Sequence, residues 1–215
     1  MENQVTIPEP HPIEVQRTPP EGTHSTDVGQ RLLSAAAAGD TDALQELLEG
    51  KECDWTVRGP TRKGALHLAA QNGHQLAVRL IIEGGAPLAE TDDEGCTALH
   101  LAARMGHLDI CESLVQAGSN VLSMDLEDKT CFHLAVEKEH ISVVKLLVLA
   151  VKSRGGGESA AEASGWDLAE GPGRTALHEA ARVGNVDILQ TLLDAGIPPG
   201  VKTSGGVTPL HVAVQ

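Results

Sequence analysis

Tyrosine is absent from this chain, and one phenylalanine and two tryptophans are its only aromatics in 215 residues. A conventional globular core leans on such large side chains, so the interior has to be assembled from Ala, Leu, Val and Ile. Positive charge is also scarce: 16 Lys and Arg stand against 30 Asp and Glu, a net charge of −14. That excludes a nucleic-acid backbone or an anionic membrane as the main partner, because both select basic surfaces. Cys53, Cys96, Cys111 and Cys131 form no CxxC pair and no metal-finger spacing, which leaves free thiols in a reducing compartment. There is no apolar leader, no run long enough to span a bilayer and no Asn-x-Ser/Thr acceptor, so a cytoplasmic or nuclear location is expected. Catalytic signatures are missing too. No GxSxG, phosphate-loop lysine or supported Cys-His pair occurs, and His178-Glu179 fails as HExxH because Arg182 holds the second histidine position. Gly155-Gly156-Gly157 is followed by no GKS or GKT.

What the chain does have is self-similarity. Ala65-Leu66-His67-Leu68-Ala69-Ala70 recurs as Ala98-Leu99-His100-Leu101-Ala102-Ala103 and as Cys131-Phe132-His133-Leu134-Ala135-Val136. Ala176-Leu177-His178-Glu179-Ala180-Ala181 and Pro209-Leu210-His211-Val212-Ala213-Val214 complete the series. The histidines are separated by 100−67 = 33, 133−100 = 33, 178−133 = 45 and 211−178 = 33, so one step carries 45−33 = 12 extra residues. A fixed period of this size means a stack of supersecondary units, each too small to bury its own apolar face.

Within a unit the pattern reads as a short helix, a tight turn, a second helix and a polar connection. Thr97, Thr130, Thr175 and Thr208 stand where a hydroxyl can cap a helix start, and Pro209 suits the first helical position. Gly64 lacks that hydroxyl, so its helix should begin less firmly. Gly73, Gly106 and Gly184 stand where a left-handed residue ends the first helix, and Glu139 in the equivalent place predicts a strained turn. Second helices carry the large apolar stripe, for example Ile110, Leu114 and Val115, while alanine pairs let first helices approach closely.

The period and the motif, fullest in Thr208-Pro209-Leu210-His211-Val212-Ala213, resemble the ankyrin repeat from about Gln30 to Gln215. The resemblance implies an all-α ankyrin-repeat solenoid of helix-turn-helix units with hairpin connections. Residues 1–27, rich in Pro and Glu, are expected to form a disordered tail, in which Thr18-Pro19 offers a docking or kinase motif as the functional alternative. The array would fill 28–215, with repeats at about 30–60, 61–94, 95–128, 129–172, 173–206 and a partial 207–215. The first repeat is divergent, with Ala35 to Ala38 in place of the usual helix, and the fourth holds a flexible inserted loop at about 151–165. Trp55 should pack in the connection after the first repeat, and Trp166 should tuck into the stack. The last copy stops before a second helix, exposing Leu210, Val212 and Val214, from which a fragment of a longer protein, or an incorrect gene model, is expected.

The resemblance further implies that the Leu-His imidazoles of His67, His100, His133, His178 and His211 join neighbouring turns by hydrogen bonds. A metal array on these histidines is the sharper alternative, set aside because ligands cluster within one loop or helix turn. It also places a binding face on the connection tips and the exposed side of the first helices. The tips hold Arg58, Arg62 and Lys63, then Asp92, Asp93 and Glu94, then Asp125, Glu127 and Asp128, one basic tip beside two acidic ones. The first helices add Gln71, Asn72, Arg104, Met105, Glu137, Lys138, Arg182 and Val183. The expected function is a non-catalytic, monomeric scaffold or adaptor that binds a protein without cofactor or metal. The alternative is a regulatory or targeting arm of a larger enzyme, transporter or signalling protein continuing beyond Gln215.

Overall fold

The computed structural model describes residues 23–50, 53–155 and 174–214. Eleven helices run through the described residues: α1 (Thr23–Ala38), α2 (Thr41–Glu49), α3 (Ala65–Gln71), α4 (Gln75–Glu83), α5 (Ala98–Met105) and α6 (Leu108–Gln116). They continue as α7 (Cys131–Glu137), α8 (Ile141–Gly155), α9 (Ala176–Val183), α10 (Val186–Asp194) and α11 (Pro209–Ala213). Each odd-numbered helix packs on the odd-numbered helices either side of it, and α2, α4, α6, α8 and α10 form a second row in the same way. This is the solenoid expected from the period.

Small residues make the first row possible. Ala69, Ala70, Ala102, Ala103, Ala135, Val136 and Ala180 have no exposed surface, so adjacent first helices meet nearly backbone to backbone. The second row is filled by larger side chains, with Val78, Ile81, Ile110, Leu114, Leu147, Ile188 and Leu192 likewise sealed. Trp55 is half-buried against the core beside Leu48 and Leu80, in the connection where it was expected.

Two boundaries differ from the sequence reading. Helix α1 is a full helix that starts at Thr23, inside the stretch assigned to the tail, and it buries Leu32, Leu33 and Ala36. Its apolar face has α2 and α3 to pack against, which composition alone did not show. Residues 151–155, assigned to the inserted loop, instead prolong α8, and Ala150 and Val151 are buried there against the stack. Thr18-Pro19, Trp166 and the rest of the insertion lie outside the described residues. Leu210 in α11 and Val214 just after it are 74% and 82% exposed, and Val212 is half-buried.

A repeated hydrogen-bond set starts every first helix from α3 onward. The Thr97 amide donates to His100 Nδ1 at 3.2 Å, with the threonine hydroxyl 2.8 Å from the same nitrogen. Thr130 with His133, Thr175 with His178 and Thr208 with His211 repeat it. The hydroxyl therefore meets the imidazole of the next turn. Gly64 keeps the amide contact to His67 at 3.3 Å and lacks the hydroxyl. Because Nδ1 accepts, Nε2 carries the proton and donates onward: His67 to the Glu90 and Cys96 carbonyls, His100 to Ser123, His178 to Val207. The His133 Nε2 is buried, and among the described residues the backbone of Arg174 is the group that faces it in place of a well-formed acceptor.

The turn between paired helices is stitched to the neighbouring repeat by a second set of histidines. His74, His107 and His140 donate from Nε2 to the carbonyls of Ala37, Gln71 and Arg104, one repeat earlier. Their rings lie on Gly39, Gly73 and Gly106, where a Cβ would come within 2.5, 2.8 and 2.6 Å of a ring atom. Those glycines also have φ of +72°, +80° and +77°, so each is required twice over.

Candidate partner-binding face

Four connections close with the same short turn, in which Gly59, Asp92, Asp125 and Thr203 each donate an amide hydrogen to the residue four further on. Adjacent turns are laced together, since Asp93 N donates to Thr61 O at 3.3 Å and Leu126 N to Glu94 O at 3.0 Å. The tips thus form a rigid row beside the first helices.

Several residues assigned to the face turn out to build this row instead. Asp92 is 2% exposed; its Oδ1 accepts from the Glu94 and Cys96 amides at 3.0 and 2.8 Å, and its Oδ2 lies 3.5 Å from Lys63 Nζ. Asp92 and Lys63 are therefore structural, a correction to their place among the partner-binding residues. A short aspartate turned inward satisfies amides that water would otherwise have to reach. Arg58 pairs with Glu90 at 2.6 Å and donates to backbone carbonyls of its own connection, so its charge is met within the chain, as that of Lys63 is by Asp92. Arg62 and Asp128 are exposed at the tips with φ of +56° and +60°, where other copies carry Gly95 and Gly206. Gln71 is half-buried and lends its carbonyl to His107, while Asn72 Nδ2 donates to Ala37 O at 2.8 Å. Arg182 is engaged with the buried Glu179 in its own helix, and Val183 is half-buried at the end of α9. Asp93 and Met105 are exposed, Met105 by 49%.

Six other predicted residues do converge. Glu94, Arg104, Asp125, Glu127, Glu137 and Lys138 line one groove of about 320 Å³ between two adjacent tips and helices α5 and α7. Leu126, Lys129 and Leu134 complete it. Sequence reasoning passed over these three, although an exposed leucine among acids in Asp125-Leu126-Glu127-Asp128 is a legible signal. Leu126 is 76% exposed and Leu134 is buried, so the groove has an apolar wall and an apolar floor.

Its charges are arranged in pairs. Arg104 meets Glu94 at 2.9 Å; Lys129 reaches Glu127 at 3.1 Å and Glu137 at 3.4 Å; Lys138 meets Glu137 at 3.1 Å. Burial opposes ionisation of Glu137, but Lys138 and Lys129 outweigh it and hold the carboxyl below its ordinary range. Burial likewise opposes the charge on Arg104, and the Glu94 hydrogen bond with nearby acids raises it above the usual guanidinium value. Cys96 Sγ lies 3.9 Å from Asp125 Oδ2, and burial first, then Asp92 and Asp125, push this thiol up to about 12.

Asp92, Glu94 and Cys96 offer ligand atoms within 4.8 Å of one another. The Asp92 oxygens are held by two amides and Lys63, Glu94 by Arg104, and the thiol keeps its proton. Such a set is an ion-paired turn and does not fit a metal.

A family model described as "Ankyrin repeats (3 copies)" matches residues 32–125 and 132–215. The chain belongs to the ankyrin-repeat family. No curated protein matches it. Ankyrin repeats are generally protein-protein interaction modules and typically non-catalytic. Among the described residues no helix is long and apolar enough to cross a membrane.

Proposed function

We propose that this ankyrin stack is a non-catalytic scaffold or adaptor that binds a protein partner on the face made by the tips and first helices. The groove between α5, α7 and their tips is its centre. The observation that carries the reading is convergence: charged side chains from two tips and two helices surround a leucine that is 76% exposed. An apolar knob rimmed by paired charge is the anatomy of a small recognition patch, in which the leucine supplies area and the rim supplies register. The net charge of −14 favours protein over nucleic acid as the partner. The free, buried Cys96, Cys111 and Cys131 agree with the reducing cytoplasm or nucleus, and the scaffold works as a monomer.

The test is a photo-crosslinking residue placed in the full chain in cells, at Leu126 in one case and at Leu149 in another. Leu149 is 65% exposed on α8, in the other row of helices. Crosslinks to a protein from position 126 and not from 149 are expected. Crosslinks from 149 alone would place the binding face elsewhere.

A further inference from the structure

The repeats supply their own template for what the groove lacks. Asp92 and Asp125 are one period apart (125−92 = 33), and so are Lys63, Cys96 and Lys129 (96−63 = 33, 129−96 = 33). Both aspartates use Oδ1 alike, accepting two amides of their own turn. The second oxygen is treated differently. Asp92 Oδ2 has Lys63 Nζ of the preceding tip at 3.5 Å, in a setting where the carboxylate side chain is sealed. In the next repeat the residue in place of Lys63 is Cys96, whose thiol donates a hydrogen bond to Asp125 Oδ2 at 3.9 Å but brings it no positive charge. Lys129 does not fill the gap from the other side, because its ammonium is turned to Glu127 and Glu137.

We infer that the groove is a receptor for one cationic side chain of the partner, an arginine or lysine whose head meets Asp125 Oδ2 and whose stem lies along Leu126 and Leu134. The inference rests on the proposed binding face and names the chemistry of what it takes. Room is adequate: about 320 Å³ holds a single long side chain. The apolar wall and floor suit the methylene stem of such a residue, which buries its carbons while the head seeks charge. Among the described residues four carboxylates against three cations line the groove, so Glu94, Asp125, Glu127 and Glu137 outnumber Arg104, Lys129 and Lys138 by one. A single added positive charge balances the set, and a partner anchored by an acidic residue does not.

The probe is a random peptide library selected on the full chain, followed by affinity measurement of the enriched peptide on three variants. Asp125→Asn keeps an Oδ1 acceptor for the Glu127 and Lys129 amides and removes only the charge. Cys96→Lys supplies the cation from within the chain, as Lys63 does for Asp92. Asp109→Asn removes an exposed charge on α6, in the other row of helices and away from the proposed face. Enriched peptides should share one Arg or Lys next to an apolar residue. Their binding should weaken at least tenfold in Asp125→Asn and Cys96→Lys, and by less than about twofold in Asp109→Asn. If Cys96→Lys does not fold, the two asparagine variants decide. Peptides enriched without a cation, or equal loss in Asp125→Asn and Asp109→Asn, overturn the receptor and leave the binding face standing. Failure to enrich any peptide, together with crosslinks from position 149 alone, removes the face and the receptor with it.

Discussion

Asn185 Nδ2 donates to Glu139 Oε2 at 2.9 Å, and the two residues together replace a Gly-His contact that three other repeat junctions share. Elsewhere the turn glycine gives its space to the next repeat's ring, as Gly106 does to His140. Glu139 fills that space with a side chain at φ +59°, and the next repeat answers with the shorter Asn185, which also caps α10 by accepting from Ile188 N at 3.1 Å. The coupling is a testable one. Asn185→His alone should destabilise by roughly 1–3 kcal/mol, since the ring meets the Glu139 Cβ. The double variant Glu139→Gly, Asn185→His should recover most of that loss and relieve about 1 kcal/mol of left-handed strain. A urea-denaturation double-mutant cycle measures the interaction, and simple additivity would disprove it.

Gly106 and Gly184 separate the two demands made on a turn glycine. Both have φ near +77°, but a Cβ at Gly106 would lie 2.6 Å from the His140 ring, whereas a Cβ at Gly184 would meet none of the described residues within 4 Å. Gly184→Ala should cost about 1–2 kcal/mol from backbone conformation alone. Gly106→Ala should cost roughly 2–4 kcal/mol, because the ring must shift and its 3.1 Å bond to the Arg104 carbonyl goes with it. Equal melting losses in the two variants would mean the ring contact is energetically idle.

The repeat motif was legible because every unit needs the same threonine, histidine and alanine pair to start a helix and stack it. The proposed binding face was legible only in part. Asp92 and Asp93 are adjacent acids in one tip, yet one is sealed and the other exposed, and composition does not say which way a short carboxylate turns. The Glu139–Asn185 pair spans two repeats, so each half looks like a defect in its own unit. Helix α8 runs on to Gly155 because Ala150 and Val151 find a neighbour to bury against, a fact of packing that the Gly- and Ser-rich residues following them conceal.

The two acids give a direct check on that division. Asp92→Ala leaves the Glu94 and Cys96 amides without their acceptor and Lys63 without its anion. A loss of roughly 2–4 kcal/mol is expected. Asp93→Ala, at an exposed tip, should change stability by less than about 0.5 kcal/mol. Thermal denaturation of both variants settles it, and a silent Asp92→Ala would return Asp92 to the surface set.

Acid should loosen the stack through the Leu-His imidazoles. Burial lowers the pKa of His67, His100 and His133, against the opposing pull of nearby acids and backbone carbonyls, and it brings His133 down to about 4. The geometry agrees, since Nδ1 already accepts the amide of Gly64, Thr97 or Thr130 and protonation would set donor against donor. With folded-state values below the unfolded value near 6.5, the unfolded chain binds more protons as the solution is acidified. The stabilisation is therefore complete above about pH 6.5 and is lost as pH falls toward about 4. For His133 alone the loss is on the order of 3 kcal/mol across that window. Urea midpoints measured from neutral pH downward should fall well before the carboxylates titrate, and His133→Asn should flatten the slope. A midpoint independent of pH between about 6.5 and 5 would show that these rings titrate as freely in the stack as in the unfolded chain.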